Sequence, residues 1–274
     1  AVHIPVQAPT EFIDNYDGAF DAGWDVMREE RWQRTMDLGL VPETTTLAPV
    51  HADHRAWDDL SPEEQAIAAR EMQVNAGMIE AADFHIGRLL DHLEVTGQLE
   101  NTIVVVTSDN GPDSAVTTLG NPIANLLLRG IHLLEGVDTS PENMGLPGSL
   151  TAIGPEWASV SASPFSLYKF YSSEAGLRVP LVIAGPGVAA RGIEDAPVHV
   201  ADLMPTLLDA AGVDYDADEL YGQSVLPVLT GEADETRDPE DSFGVEVSGN
   251  AALYRGNWKR SEERRVGKEC TLRC

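Results

Sequence analysis

A short β-branched run at residues 102–107 leads into Ser-Asp-Asn-Gly-Pro, the stretch of this sequence best suited to binding a ligand. Such a run predicts a buried parallel strand, and ligands bind at the carboxyl ends of strands in open α/β sheets. Asp109 and Asn110 together offer three side-chain oxygens, the donors that calcium or magnesium prefer. Gly111 lets the backbone turn away behind them. On its own, Asp-Asn-Gly is more typical of a simple turn.

One lysine is notable because the chain otherwise uses arginine for positive charge. Lys169 is the only lysine before Lys259, and it lies in the aromatic stretch Phe-Ser-Leu-Tyr-Lys-Phe-Tyr. A desolvated ammonium is a compact point charge and a proton donor, which suits it to binding and protonating an anion. The alternative is a surface lysine whose stem covers apolar neighbours while the ammonium stays in water.

Histidines provide two further candidate sites. His3 lies in an extended segment, because each proline of His-Ile-Pro-Val-Gln-Ala-Pro holds the preceding residue extended. This context alone is more typical of an exposed loop histidine than of a catalytic one. His51 and His54 flank Asp53, but Pro49 and the lack of helical context favour a polar loop over a metal site.

The elements that must position these residues alternate between helices and strands, which predicts an α/β doubly wound sheet. Ser61, Pro62 and Glu64 form a helix start, and the helix is expected to run to about Val95 and stop at Gly97. One apolar face of this helix is expected to pack on the sheet. The residues of that face are Met72, Met78, Ile79, Ile86, Leu89, Leu90 and Leu93.

Other elements are weaker in pattern. A surface helix within residues 11–40 ends near Gly39, residues 181–184 form a second buried strand, and residues 200–212 contain a short helix. Residues 113–163 mix Gly, Pro, Asn and Ser around an apolar run, 123–134, that favours a short helix. No chemistry is assigned to this stretch, which is either a functional loop region or a misread segment.

Composition excludes several classes of function. The 274 residues suffice for one large α/β domain, and 45 acidic against 18 basic residues give a net charge of −27. This charge argues against nucleic-acid binding, which needs a basic surface. No apolar run approaches the roughly 18 residues of a membrane helix. Both cysteines, Cys270 and Cys274, lie at the end, so the body holds no disulfide or thiolate metal site.

The carboxyl-terminal part changes character twice. Residues 213–259 turn acidic and are expected to cross into a small subdomain, where residues 243–247 and 252–254 pair as antiparallel strands. Residues 260–274 carry more basic residues and both cysteines, so we expect a non-native tail outside the fold. The start of the sequence, Ala1-Val-His-Ile-Pro, enters in the middle of an extended segment and is expected to continue an upstream part.

Five motifs in order resemble the type I sulfatases, in the bacterial arylsulfatase branch of the alkaline-phosphatase-like superfamily. They are His-x-Pro-x-Gln-Ala-Pro from His3, Ser-Asp-Asn-Gly from Ser108, Pro-Phe-x-x-Tyr-Lys ending at Lys169, Glu-x-Gly-x-Arg-x-Pro from Glu174, and Asp-x-x-Pro-Thr-Leu-Leu from Asp202. The resemblance extends over nearly all of residues 1–259. It implies a partial alkaline-phosphatase-like mixed sheet, with residues 1–212 as part of the catalytic domain.

The resemblance also implies roles for individual residues. Asp109 and Asn110 match a pair that ligates a calcium ion. His3 matches a histidine that binds the sulfate ester and helps protonate the departing alcohol. Lys169 matches a lysine that holds a sulfate oxygen and the bridging oxygen. The implied substrate is a small-molecule sulfate ester, and the sequence says nothing about oligomeric state.

Two departures from the family pattern matter. The usual Glu-Gly-Gly is Glu-Ala-Gly at residues 174–176, a small change. No Cys-x-Pro-x-Arg or Ser-x-Pro-x-Arg occurs, so the residue oxidised to the formylglycine nucleophile is absent. The chain is therefore expected to be the carboxyl-terminal part of a sulfatase, inactive alone. A phosphonate monoester or phosphodiester hydrolase of the same superfamily and a non-catalytic truncated domain stay open as alternatives.

Overall fold

A computed structural model describes residues 2–117, 122–138, 140–189, 192–256 and 258–262. The chain forms two units that interleave in sequence. Unit 1 comprises the residues up to Val95 together with Asp109–Val179, and unit 2 comprises Thr96–Ser108 and the residues from Pro180 onward. The predicted boundaries at 1–212, 213–259 and 260–274 remain predictions.

Unit 1 is built from helices. They are α1 Thr10–Ile13, α2 Gly23–Asp37, α3 Pro62–Val95, α4 Pro122–Glu135, α5 Gly154–Ala162 and α6 Glu174–Leu177, with 3-10 turns at Asp14–Tyr16, Trp57–Asp59 and Pro141–Asn143. The predicted helices within 11–40 and over 123–134 are confirmed as α2 and α4. None of the helices in the described ranges combines the length and apolarity needed to cross a bilayer.

The predicted bounds of α3 are confirmed, and local chemistry explains them. The Ser61 N–H donates to Glu64 Oε2 at 2.8 Å, and the Glu64 N–H donates to Ser61 Oγ at 3.3 Å. This reciprocal capping satisfies N–H groups that the first helical turn leaves without partners. The helix ends two residues before Gly97, which has a φ of 68°.

The predicted packing face of α3 is only partly correct: Met72 and Met78 pack against core residues, but two other members do not. Ile79 and Leu89 are more than half exposed. The buried face consists of mostly small residues, namely Ala68, Ala69, Gln73, Val74, Asn75, Gly77 and Ala81, and α3 packs against α1. A Cβ on Gly77 would lie 2.8 Å from the Ile13 backbone, so the small side chains allow α1 to approach closely. The apolar pattern did not reveal this, because it weights large side chains.

Aromatic residues form the main core of unit 1. Trp157 is fully buried, and the rings of Trp24 and Trp57 meet edge to face with centroids 4.8 Å apart. The Trp157 indole N–H donates to the Ala68 carbonyl at 2.8 Å, which satisfies its polar atom. Tyr168 belongs to the same cluster. The residue before Lys169 is thus anchored in the core.

Unit 2 contains a two-stranded sheet covered by helices. Strand β1 Val104–Thr107 pairs with β2 Leu181–Ala184, and the helices are α7 Leu203–Ala210 and α8 Leu226–Thr230. Three 3-10 turns, Leu99–Asn101, Val200–Asp202 and Ala217–Glu219, complete the regular elements apart from the strands described below. The predicted α/β fold class is confirmed, as are the strand at 181–184 and the helix within 200–212.

The prediction that β1 is a buried parallel strand is wrong. The β1–β2 pairing is antiparallel, with Val105 opposite Ile183 and Val106 opposite Val182. Val105 and Ile183 line a small apolar void with residues of α7 and α8, whereas Val106 and Val182 are exposed. A β-branched run indicates a strand but not the direction of a partner that lies more than seventy positions away.

A second sheet lies near the carboxyl end. Strands β3 Ser242–Val247, β4 Asn250–Arg255 and β5 Trp258–Glu262 are antiparallel in that order. The predicted pairing of 243–247 with 252–254 is confirmed. Strand β5 extends to residue 262, so the first three residues of the predicted tail belong to this sheet. Residues 263–274 lie outside the described part of the chain.

The last family-like motif has a structural role. Asp202 is fully buried, and its carboxylate accepts hydrogen bonds from the N–H groups of His199 and Gln223 at 2.7 and 2.8 Å. It also pairs with the Arg237 guanidinium. Asp202 therefore ties the start of α7 to two later segments of unit 2.

Candidate functional site

Three charged or titratable side chains of unit 1 converge. Lys169 Nζ lies 3.2 Å from His3 Nε2 and 2.9 Å from Asp113 Oδ2. His3 Nε2 lies 3.6 Å from the same Asp113 oxygen. His3 and Lys169, which were predicted as catalytic and substrate-binding residues, are therefore neighbours across 166 positions of sequence.

Lys169 is held in place by its backbone and its neighbours. Its N–H donates to the Pro112 carbonyl at 3.0 Å, and its side chain is only 17% exposed. Leu167 and Phe170 have positive φ angles of 65° and 77°, a region that bulky residues seldom occupy. Such strain persists only where the surroundings enforce it and often marks a functional segment. The alternative of a snorkelling surface lysine does not fit this burial.

His3 has a defined ring orientation. Its Nδ1 lies 2.9 Å from the Ile4 carbonyl oxygen, which only accepts hydrogen bonds, so Nδ1 carries a proton. In the neutral ring Nε2 then accepts a hydrogen bond from Lys169. The segment that follows is anchored by a hydrogen bond from the Val6 N–H to the Thr151 carbonyl. The His3 side chain is 53% exposed and therefore accessible to a ligand.

Asp113 is a site residue that the sequence reasoning missed. It lies in the stretch 113–163, to which no chemistry was assigned, although its place four residues after Asp109 was a usable signal. Burial raises the pKa of Asp113, but hydrogen bonds from Lys169 and the Ala115 N–H, with the charge of Lys169, outweigh burial and lower the pKa below its ordinary value. Asp113 is therefore a carboxylate at neutral pH.

Asp109 and Asn110 lie on the loop that leads to Asp113. The Asn110 amide nitrogen donates to the Gly111 carbonyl at 2.8 Å, an orientation that turns its side-chain oxygen away from that carbonyl. The Gly111 N–H donates to the Gly176 carbonyl at 3.1 Å. A Cβ at Gly111 would lie 1.8 Å from the Ala175 carbonyl oxygen, so only glycine fits there.

Asp109 and Asn110 offer oxygen ligands, the type that a hard cation prefers, but fewer of them than such a cation needs. Asp109 and Asn110 supply at most three of the roughly six to eight oxygens that calcium takes. Within the described ranges, no three His, Cys, Asp or Glu side chains come together in a way that suits a metal ion. The metal roles of Asp109 and Asn110 therefore remain a proposal.

Residues 174–176 read Glu-Ala-Gly instead of the expected Glu-Gly-Gly, and the observed packing accommodates this change. A Cβ at Gly176 would lie 2.2 Å from the Tyr171 carbonyl oxygen, so glycine is required there. Ala175 is buried and its methyl is accommodated. Only the second glycine of the usual pair is needed.

His51 and His54 lie in an irregular loop between α2 and α3. His51 Nδ1 is 3.6 Å from Asp53 Oδ2, and the His54 ring stacks on Tyr168 with an interplanar angle of 9°. Burial lowers the pKa of His54, which is therefore neutral at neutral pH. Its ring supports the residue that precedes Lys169.

Comparisons with known proteins identify the family of this chain. The Sulfatase family model matches residues 1–213. The chain is 35% identical over 269 residues to an uncharacterized sulfatase of Schizosaccharomyces pombe, a match that covers 94% of this chain and 48% of that protein. It is 34% identical over 232 residues to an arylsulfatase of Klebsiella aerogenes, covering 84% of this chain and 48% of that one.

A solved structure of a phosphonate monoester hydrolase from Silicibacter pomeroyi aligns with 76% of this chain and 35% of that chain, with 24% identity and a TM-score of 0.45. The chain spans about half the length of the curated relatives it matches. With a family model that matches most of its length, the chain belongs to the sulfatase family.

Proposed function

We propose that the whole protein hydrolyses sulfate monoesters of small molecules, with His3 and Lys169 as catalytic, substrate-binding residues. The observation that carries this proposal is the 3.2 Å contact between His3 Nε2 and Lys169 Nζ in a member of the sulfatase family. Both residues match positions that the family uses for the ester. Their side chains meet although the sequence places them in separate motifs.

Charge explains why such a cluster is needed. A sulfate ester is an anion, and a chain with a net charge of −27 repels it at long range. The site must therefore provide local positive charge. Lys169 supplies an ammonium at a partly buried position, but the Asp113 carboxylate 2.9 Å away balances its charge, so the divalent cation proposed below must supply the net positive charge.

The chemistry assigned to the two residues is proton donation and charge stabilisation. As the sulfur–oxygen bond breaks, negative charge grows on the bridging oxygen. A donor close to that atom lowers the barrier, typically by about a hundredfold or more. We assign substrate binding and charge stabilisation to the Lys169 ammonium. When protonated at Nε2, His3 donates that proton to the departing alcohol oxygen.

Asp109 and Asn110 would hold a divalent cation, for which calcium is the proposed species, with further ligands from elsewhere in the whole protein. When bound, such an ion supplies positive charge that polarises sulfuryl oxygens. We also propose that a formylglycine nucleophile comes from outside these 274 residues, because they contain no motif that would carry it.

The test is hydrolysis of matched aryl sulfates and aryl phosphonates by the whole protein and by its H3A and K169A variants. We expect a preference for the sulfate and a loss of at least about a hundredfold in kcat/KM for each variant. A preference for the phosphonate would favour the phosphonate hydrolase alternative. Lack of turnover of either substrate would favour a domain that only binds anions or partners.

A further inference from the structure

We propose that Asp113 is a positioning residue that aims the Lys169 ammonium at the substrate. This inference rests on the proposed function and adds to it a residue that the motifs did not indicate. The feature that carries it is the pair of contacts from Lys169 Nζ, at 2.9 Å to Asp113 Oδ2 and 3.2 Å to His3 Nε2.

The Asp113 carboxylate is itself fixed. Its Oδ1 accepts a hydrogen bond from the Ala115 N–H at 2.9 Å, while Oδ2 faces Lys169. An aspartate that binds the N–H two residues later forms a local turn that restrains its own side chain. One oxygen therefore holds the carboxylate in place and the other holds the lysine.

The segment that carries Asp113 is attached to the lysine a second time. The Pro112 carbonyl accepts the Lys169 N–H at 3.0 Å, so backbone and side chain of Lys169 are bound by adjacent residues. Lysine has a long stem with much rotational freedom, and these contacts remove that freedom before substrate arrives. The loop 109–113 thus carries the proposed metal ligands and also orients the Lys169 ammonium.

The hydrogen-bond directions leave one donor for the substrate. An ammonium has three N–H donors. Among the described residues, one of these N–H groups points to Asp113 and one to Nε2 of His3, whose Nδ1 lies against the Ile4 carbonyl. These two contacts fix the direction of the third N–H. Without Asp113, the ammonium would lose the contact that fixes this direction.

The test uses the whole protein and a series of aryl sulfates whose phenols differ in pKa. An ammonium or imidazolium acts on the bridging oxygen most when the leaving group is poor. We expect D113A to lower kcat/KM by at least about tenfold for poor leaving groups and by less for good ones. The conservative D113E variant, which restores a carboxylate, should recover part of the loss.

The matched control is D138A. The Asp138 carboxylate also accepts the N–H two residues later, that of Ser140, at 2.8 Å, and it accepts further hydrogen bonds from the side chains of Ser140 and Asn143. Loss of this turn should change kcat/KM by the same factor for every substrate, if at all. A loss of folded protein would act in the same uniform way, so a steeper dependence on leaving-group pKa separates positioning from a structural effect.

The outcomes for the two proposals are distinct. An equal loss across the series for D113A, or none, while K169A is inactive, overturns the role of Asp113 and leaves the proposed function standing. A wild-type protein without sulfatase activity, or a K169A variant with full activity, overturns the proposed function and this inference with it.

Discussion

Lys169 Nζ lies 3.2 Å from Nε2 of His3, although 166 positions of sequence separate the two residues. The same ammonium donates a hydrogen bond to the Asp113 carboxylate, which balances its positive charge. An anion that enters this cluster meets donors that are already oriented. Three of the predictions below test this cluster and the loop that supports it.

We expect activity to depend on the compact shape of the Lys169 ammonium as well as on its charge. K169R keeps the positive charge but replaces a compact ammonium by a planar guanidinium that cannot make the same two contacts. We expect kcat/KM for an aryl sulfate to fall at least about tenfold in the whole protein. The control is K259R, which makes the same change in β5. Equal activity of K169R and wild type would contradict the point-charge role.

Gly111 is required by close packing. G111A would place a methyl 1.8 Å from the Ala175 carbonyl oxygen, so the loop 109–113 must move. We expect the free energy of unfolding to fall by about 1–3 kcal/mol in urea denaturation. The control is G87A on α3, where a Cβ meets nothing within 4 Å, and it should raise stability by about 0.5–1 kcal/mol. Equal effects of the two variants would refute the packing argument.

The calcium proposal makes a prediction about affinity. D109A and N110A each remove oxygen donors, so each should weaken calcium binding by the whole protein and lower its activity. Excess calcium should restore part of that activity, since the lost donors reduce affinity rather than the chemistry. Titration calorimetry with calcium alone measures the first effect. Unchanged calcium affinity in both variants would show that these residues are not ligands.

Asp202 stabilises unit 2 through buried contacts. D202A would leave the Arg237 guanidinium and two N–H groups without their carboxylate, and breaking a buried ion pair costs about 3–5 kcal/mol. Thermal and urea unfolding measure this loss. The comparison variant is R255A, which breaks the exposed pair with Glu240 and should cost less than about 1 kcal/mol. A small effect of D202A would mean that the carboxylate is dispensable.

Glu71 on α3 makes stability depend on pH. Burial and the negative charge of Glu156 raise the pKa of Glu71 to about 8 from 4.5. Between these values the folded state keeps a proton that the unfolded state has released, so stability falls as pH rises, by at most about 1.4 kcal/mol per pH unit.

The variant E71Q removes this proton uptake. Its stability should approach that of the wild type near pH 5 and exceed it by more than about 1 kcal/mol at pH 8.5. Urea denaturation at both pH values measures the difference, and E94Q, at an exposed position of the same helix, is the matched control. A difference between E71Q and wild type that does not grow with pH would contradict the raised pKa.

Several features of the fold follow from the sequence because their causes are local. The ends of α3 depend on Ser61 and Glu64, which are three residues apart, and on the nearby Gly97. The β3–β4 hairpin closes through Ser248 and Gly249, which both have positive φ, as a tight two-residue turn requires. The family is evident from short motifs in a fixed order. Each of these signals is complete within a few residues.

Other features were decided only by the tertiary structure. The direction of β1 depends on β2, the buried face of α3 depends on how closely α1 approaches, and the role of Asp113 depends on Lys169, 56 positions away. Hydrophobic period and residue type describe a segment by itself. They do not say which distant surface it meets, because that choice depends on the packing of the whole unit. The sequence alone determined the family and the candidate residues, and the folded chain decided that His3 and Lys169 meet beside Asp113.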